Sequence, residues 1–183
     1  CSIGSCHVIS LAQTRCDCIC LCLSCLANPD HDCVGSCIFD YQLPDHPMEK
    51  TEVKIKSLQQ AKNQVREWKS QGNTIVFTNG CFDLLHLGHI DYLEKAHSLG
   101  SKLVLGLNSD DLVSRFKGKN RPIQDQNSRS RVLAALQFVD LVVLFNEDTP
   151  LNLISEILPD TLVKGSDYLA ENIVGADVVK RNG

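Results

Sequence analysis

The sequence predicts an α/β protein built on a doubly wound parallel sheet. Short apolar segments that resemble strands alternate with longer segments whose apolar residues recur at helical spacing, which is typical of a parallel sheet. The strand segments are almost continuously apolar, as expected where helices cover both faces of a sheet. Right-handed crossovers between successive strands then place helices on both faces.

Four strands are predicted, and the first of them, residues 74–78, reads TIVFT. The other three are residues 102–108, 139–145 and 161–164. In a doubly wound sheet, ligands lie at the carboxyl ends of the strands, near the point where the strand order reverses. The segments that follow these strands are therefore the first places to look for a site.

Helices are predicted from apolar spacing and from stop signals. The first, residues 53–71, has Leu58, Ala61, Val65 and Trp68 on one stripe and stops at Gly72. Further helices are predicted over residues 88–99, 110–116 and 128–137, the last with an apolar stripe of Val132, Leu133 and Leu136. A final helix is expected to have Thr149 as its cap, to start at Pro150 and to stop at Pro159.

Composition divides the chain at Met48, its single methionine. Nine of the ten cysteines lie in residues 1–37, and residues 1–47 contain neither Lys nor Glu. Residues 48–183, the body of the chain, contain 17 Lys and Arg against 17 Asp and Glu. The net charge of -4 therefore arises in residues 1–47, the head. A neutral body argues against a general nucleic-acid or membrane surface. Its single cysteine, Cys81, is typical of a reducing cytoplasm.

The cysteine-rich head, residues 1–47, admits three interpretations. The run CDCICLCLSC has poor spacing for zinc, although Cys33 and Cys37 could form one ligand pair. An apolar run over residues 19–27 follows Arg15, as in a signal peptide, but the chain begins with Cys. The abrupt change to MEKTEVKIKSLQQAKNQ favours the third interpretation, in which the head is non-native or disordered and the body starts at Met48.

One segment, TNGCFDLLHLGH over residues 78–89, contains most of the functional information. Gly80 permits a sharp turn and the close approach of a ligand to the backbone. His86 and His89 are three residues apart at a helix start, so both rings point the same way. Unpaired N–H groups at a helix start suit an anion, and imidazoles can donate hydrogen bonds to phosphate oxygens. The segment therefore predicts a nucleotide phosphate site.

This segment resembles the nucleotide-binding signature of the cytidylyltransferase-like nucleotidyltransferases, whose core is an H-x-G-H pair. The resemblance continues through GLNSDDLVSRFKGKNRPI, SRSRVLAALQFVDLVVLFNEDTP and LVKGSDY, and covers roughly residues 50–183. Within the superfamily it is most similar to D-glycero-β-D-manno-heptose 1-phosphate adenylyltransferases, which make ADP-heptose for lipopolysaccharide. It implies a Rossmann-like nucleotidyltransferase fold for residues 48–183, and transfer of AMP from ATP to a sugar 1-phosphate in the cytoplasm.

The resemblance also implies roles for individual residues. His86 and His89 would bind the α- and β-phosphates, Lys117 would bind phosphate, and Arg129 would organise the site. The nucleotide-binding candidates are Asn79, Gly80, Cys81, Phe82, Asp83, Gly88, Asn108, Asp110, Lys164, Gly165 and Asp167. No protein-bound metal is expected, because magnesium would lie mainly on the phosphates of ATP.

Two of these candidates have alternatives. The Asp83 carboxylate would position substrate or a magnesium-bound water, or it would instead cap the helix entry. Lys117 lies in a basic loop with Lys119 and Arg121, and such a loop is also compatible with a simple solvated surface.

The family has a second nucleotide-binding element, a Ser-Thr-Thr-like segment that follows this region. This sequence stops at KRNG, before any such segment. We therefore expect an incomplete triphosphate site and weak or absent activity in these 183 residues, with a homodimer supporting the fold. A Met48 start with no kinase-like sequence before it favours a stand-alone enzyme. Two other functions are open: CTP-dependent transfer to glycerol 3-phosphate or phosphoethanolamine, and a non-catalytic nucleotide-binding or cysteine-rich metal or redox module.

The head gives the first testable prediction. If residues 1–47 are non-native or disordered, the full chain contains no stoichiometric zinc and the cysteines of the head react freely with a thiol reagent. Metal analysis combined with thiol titration measures both quantities. Stoichiometric zinc together with protected thiols would show instead that the head is a metal-binding module.

Overall fold

The computed structural model describes residues 50–165 and 173–182. The prediction for residues 1–47 and the candidate Asp167 lie outside these ranges. The strands are β1 (Ile55–Lys56), β2 (Ile75–Gly80), β3 (Lys102–Asn108), β4 (Leu141–Phe145) and β5 (Thr161–Leu162). The helices are α1 (Leu58–Ser70), α2 (Leu87–His97), α3 (Asp110–Lys117), α4 (Gln126–Ala134), α5 (Leu151–Ile157) and α6 (Ala176–Arg181), and a 3-10 helix covers Thr51–Lys54.

The five strands form one sheet with the order β1-β4-β3-β2-β5, and every pairing is parallel. From β2 the chain proceeds outward through β3 to β4, and then returns to the other side of β2 as β5. The strand order therefore reverses between β2 and β5, where a doubly wound sheet binds its ligand. The predicted fold class is confirmed.

Two apolar layers cover the sheet, because alternate strand residues point to opposite faces. On one face Phe77 and Val104 pack with the buried residues of α1 and α5. On the other face Val76 and Leu105 pack with those of α2 and α4. None of the helices in residues 50–165 and 173–182 is long and apolar enough to cross a membrane.

The predicted first helix, residues 53–71, is wrong at its start. Ile55 and Lys56 instead form β1, which pairs with Val142 and Val143 at the edge of the sheet. The helix begins after Ser57, whose backbone N–H donates to the side chain of Gln60 at 3.0 Å while its hydroxyl accepts the Gln60 N–H at 3.4 Å. This reciprocal capping box fixes the helix start, and the sheet has five strands rather than four.

Smaller differences have local causes. The fourth predicted helix, residues 128–137, begins at Gln126 because the Asp125 carboxylate accepts the N–H groups of the first turn. Val132, which was expected on its apolar stripe, is 43% exposed. Pro150 occupies the cap position of α5 that was expected for Thr149, and α6 was not predicted.

The capping box predicts a stability effect. Replacing Ser57 with Ala should lower the free energy of unfolding by about 1 kcal/mol, because one helix N–H loses its acceptor. Chemical denaturation of both proteins measures this difference. Ser155→Ala, at an exposed position inside α5, is the control and should be neutral or slightly stabilising, because Ala favours helix interiors. An equal loss in both variants would contradict the role of the cap.

Candidate active site

A cavity of about 1060 Å³ lies at the carboxyl ends of the strands, around the switch point. Twelve of the predicted site residues line it: Asn79, Gly80, Cys81, Phe82, Asp83, His86, Gly88, His89, Asn108, Lys117, Lys164 and Gly165. Two others, Asp110 and Arg129, do not line it. The sheet topology therefore brings together residues as far apart in the chain as Asn79 and Gly165.

The turn after β2 is held in an unusual conformation. Phe82 has a positive φ of 43°, which a non-glycine residue rarely adopts. Its ring lies directly over Gly80, where an added Cβ would be 2.9 Å from the Phe82 Cε2 atom. A side chain at position 80 would therefore fit only if the Phe82 ring moved.

The two motif histidines stack against each other at the start of α2. Their ring centroids are 3.9 Å apart with an interplanar angle of 32°. His86 is the residue before the helix, and its carbonyl accepts the His89 N–H at 2.9 Å. A Cβ at Gly88 would lie 3.1 Å from the His86 ring. The glycine of the H-x-G-H pair therefore provides room for the first imidazole.

His89 is more enclosed than His86. Its ring also contacts Phe82, with centroids 5.3 Å apart. Burial lowers the pKa of His89, and the charges of His86 and Lys117 lower it further, while the Leu84 carbonyl acts in the opposite direction. The imidazole is therefore neutral at pH 7 in the ligand-free site.

Two buried polar atoms at the cavity have no hydrogen-bond partner within the described part of the chain. They are Nδ1 of His89 and Oδ1 of Asn108. Buried polar atoms are normally paired, so both are suited to a polar ligand. No group of three or more His, Cys, Asp or Glu side chains in residues 50–165 and 173–182 could hold a metal ion.

Asp83 anchors a loop rather than the helix. Its carboxylate accepts hydrogen bonds from the Arg121 guanidinium at 2.6 Å and from the N–H groups of Ile123 and Gln124 at 2.7 and 3.2 Å. Burial alone would raise the pKa of Asp83, but the hydrogen bonds from Arg121, Gln124 and Ile123 and the Arg121 charge outweigh it and lower the pKa. No side-chain hydrogen bond caps the start of α2, so of the two alternatives for Asp83, the one in which it caps the helix entry is wrong.

Arg129 is buried beneath the cavity, with a fully enclosed side chain. Its guanidinium donates to the Cys81 carbonyl at 2.5 Å, to the Gln124 carbonyl at 3.0 Å and to the Asp110 carboxylate at 2.6 Å. It therefore joins the turn after β2, the loop before α4 and the first residue of α3. Any effect of Arg129 on a reaction in the cavity is exerted through these contacts.

At the switch point, side chains bridge β2 to the segment that follows β5. The Lys164 ammonium group contacts the side-chain oxygen of Asn79, which joins the end of β2 to the segment after β5. Tyr92 of α2 also bridges these segments, because its hydroxyl bonds the Thr78 hydroxyl at 2.6 Å and the Val163 carbonyl at 3.1 Å. Gly106 of β3 is paired with Asn79, and a Cβ there would lie 3.1 Å from the Asn79 Cβ.

Several cavity residues were not among the predicted site residues. Arg121 lies in the basic loop that the sequence singled out, and Tyr92 follows the second motif histidine by three residues. Three apolar residues, Leu84, Phe116 and Phe145, also line the cavity. Five more come from the segments that lead into α5 and α6, for which no site role was predicted: Asp148, Thr149, Pro150, Ile173 and Val174. Only the folded topology brings these two helix starts to the cavity.

Residues 77–179, more than half of the chain, match the model of the cytidylyltransferase-like family. The chain belongs to this family. This membership confirms the prediction of a nucleotidyltransferase with a Rossmann-like fold. The matched region includes the whole H-x-G-H segment and every element from β3 to β5.

Relatives of this cytidylyltransferase-like chain are much longer than the region it matches. The bifunctional protein HldE of Magnetococcus marinus is 57% identical over 130 residues, which are 71% of this chain and 27% of that protein. HldE of Geobacter metallireducens is 53% identical over 133 residues, 73% of this chain and 27% of that protein. The chain thus spans about a quarter of the length of these relatives.

Among solved structures, the lipopolysaccharide core biosynthesis protein of Thermoplasma volcanium is similar to this chain. The two share 34% identity with a TM-score of 0.51, over 61% of this chain and 90% of that one. The similarity thus extends over nearly the whole of that protein.

Asp83 gives a prediction about pH. Because its pKa in the folded state lies below the ordinary value of 3.8, the ionised carboxylate stabilises the fold above that pH, and the contribution is lost as the pH falls through the folded-state pKa. Asp83→Asn should therefore lower the free energy of unfolding at pH 7 by about 1 to 3 kcal/mol, the usual value of charged hydrogen bonds.

Denaturant titrations at pH 7 and at pH 3 measure this effect, and the difference between wild type and Asp83→Asn should shrink at the lower pH. Glu94→Gln, at an exposed position of α2, is the control and should change little at either pH. A loss of equal size at both pH values would mean that the ionised carboxylate is not the cause.

Proposed function

We propose that this chain transfers AMP from ATP to D-glycero-β-D-manno-heptose 1-phosphate, giving ADP-heptose and pyrophosphate. The observation that carries the proposal is the stacked pair His86 and His89 at the start of α2, facing a large cavity at the switch point. The similarity to HldE proteins and to a lipopolysaccharide core biosynthesis protein supports a sugar phosphate of lipopolysaccharide synthesis as acceptor.

The proposed reaction is a direct displacement. An oxygen of the acceptor phosphate forms a bond to the α-phosphorus of ATP. The bond between this phosphorus and the α,β-bridging oxygen breaks. Pyrophosphate leaves with the electron pair, and no covalent enzyme intermediate is involved. The protein's contribution is then to position two anions and to stabilise the charge that develops between them.

The residues that would supply this stabilisation lie on two sides of the cavity. The N–H groups at the start of α2 and the imidazoles of His86 and His89 would donate to the nucleotide phosphates. Bound phosphates favour the charged form of His89, which burial disfavours in the ligand-free site. Lys117 would neutralise part of the phosphate charge, and Lys164 would hold Asn79 beside the nucleotide.

Magnesium enters the proposal only together with the nucleotide. The described residues offer no cluster that could hold a metal ion, and Mg²⁺ commonly binds through substrate phosphates while keeping several waters. Its chemistry would be to neutralise phosphate charge.

We also propose a cytoplasmic location and a homodimer.

The direct test is pyrophosphate release with ATP or CTP across a panel of acceptors that includes heptose 1-phosphate, glycerol 3-phosphate and phosphoethanolamine. ATP with heptose 1-phosphate should give the highest kcat/KM. Nucleotide affinity is measured in parallel by calorimetry, so that the preference for ATP or CTP is tested independently of turnover. Release with CTP alone, or tighter binding of CTP than of ATP, would refute the adenylyltransferase proposal.

The histidine pair gives a prediction about rate. His89→Ala should lower kcat by about 10²- to 10³-fold or more, because removal of one donor to the transition state typically costs that much. It should also weaken ATP binding in calorimetry, while the circular dichroism spectrum remains that of wild type. His97→Ala is the matched control, because His97 lies in the same helix but outside the cavity. Near-normal turnover of His89→Ala would exclude His89 from the proposed role.

A further inference from the structure

Arg121 differs from the other cations of the cavity in how firmly it is held. Of the described Lys and Arg residues, three line the cavity: Lys117, Arg121 and Lys164. Lys117 is exposed at the end of α3, and Lys164 contacts Asn79. Arg121 is held at its backbone as well as at its guanidinium.

Three contacts hold Arg121. Its N–H donates to the Gly118 carbonyl at 3.0 Å, and its carbonyl accepts the Ser114 hydroxyl. Its Nη1 donates to the Asp83 carboxylate at 2.6 Å. The carboxylate is 5% exposed while the guanidinium side is 42% exposed, so one end of the ion pair is fixed in the protein and the other faces the cavity.

The guanidinium has donors left for a ligand. It has five N–H groups, and Nη1 to Asp83 is its single side-chain hydrogen bond within the described residues. A guanidinium binds two oxygens of a phosphate in parallel, which an ammonium group does not. A phosphate monoester held in this way keeps its third terminal oxygen available for another bond.

The proposed function requires a site for such a group. Two phosphate anions must approach within bonding distance, and they repel each other strongly in a cavity of low dielectric. The start of α2 and the histidine pair serve the nucleotide phosphates. The loop of residues 121–124, attached to Asp83, provides a second cationic site next to the same turn.

We propose that Arg121 binds the phosphate group of the acceptor, so that the enzyme selects phosphate monoesters through a preorganised guanidinium. This inference rests on the proposed function but not on the identity of the sugar. Two terminal oxygens of the acceptor phosphate bind the guanidinium, and the third forms the new bond to the α-phosphorus as pyrophosphate leaves. Arg121 thereby reduces the repulsion between the two substrates and orients the attacking oxygen.

The test measures binding of two phosphate ligands to the full chain saturated with α,β-methylene-ATP, an analogue that cannot release pyrophosphate. The titrants are heptose 1-phosphate and inorganic phosphate, each followed by calorimetry. Arg121→Lys keeps a positive charge beside Asp83 and loses the paired donors, so it should weaken both ligands roughly tenfold or more. Affinity for the nucleotide analogue should change by less than about threefold, because the proposed contact of Arg121 is with the acceptor phosphate and not with the nucleotide.

Lys119→Gln is the control for charge, because Lys119 lies in the same loop but does not line the cavity. It should leave both affinities within about twofold of wild type, as expected for one exposed charge. A second measurement needs no substitution: the Arg121 Nε–H resonance of the wild-type complex should shift when inorganic phosphate is added. An unchanged resonance, or equal losses of phosphate and nucleotide affinity in Arg121→Lys, would overturn the inference.

The outcomes separate this inference from the proposed function. If inorganic phosphate binding depends on Arg121 but heptose 1-phosphate is not bound, the acceptor identity fails and the role of Arg121 stands. If wild type transfers AMP to heptose 1-phosphate and Arg121→Lys has an unchanged KM for that acceptor, the proposed function stands and the role of Arg121 fails.

Discussion

The buried guanidinium of Arg129 is the interaction on which the geometry of the site depends. A charged group enclosed in protein is stable only when it is paired and fully hydrogen-bonded. Arg129 meets this requirement with one carboxylate, Asp110, and two backbone carbonyls, of Cys81 and Gln124. These partners belong to two connections of the sheet, from β2 to β3 and from β3 to β4, so the connections cannot move apart without exposing an unpaired buried charge.

This constraint reaches the histidine pair through a short series of contacts. Cys81 is held by Arg129 and Asp83 is held by the 121–124 loop, so Phe82 lies between two fixed neighbours. Its left-handed backbone conformation costs of the order of 1 to 3 kcal/mol, which the contacts on either side offset. The result is an aromatic ring against His89, and the enclosure lowers the pKa of that histidine. Local strain at Phe82 and the proton affinity of His89 thus have a common origin.

Much of the fold could be predicted because its signals are local. Strand β3 is apolar between its end residues Lys102 and Asn108, and its predicted bounds agree with the structure. Strand β1 could not be found, because two residues carry no periodicity and pairing with β4 decides their state. The motif after β2 was evident from its glycines and histidines. The environment of Asp83 and Arg121 was not, because these two residues are 38 positions apart and meet only through the topology of the sheet.

The glycines at positions 80, 88 and 106 leave little room for larger residues beside the cavity. A Cβ there would lie 2.9 Å from Phe82, 3.1 Å from His86 or 3.1 Å from Asn79, so these cavity residues would have to shift. A substitution at any of them would alter the shape of the cavity even if the new side chain did not contact a substrate. Substitutions that reshape the cavity are therefore expected to be tolerated more readily in the loops around it than at these three glycines.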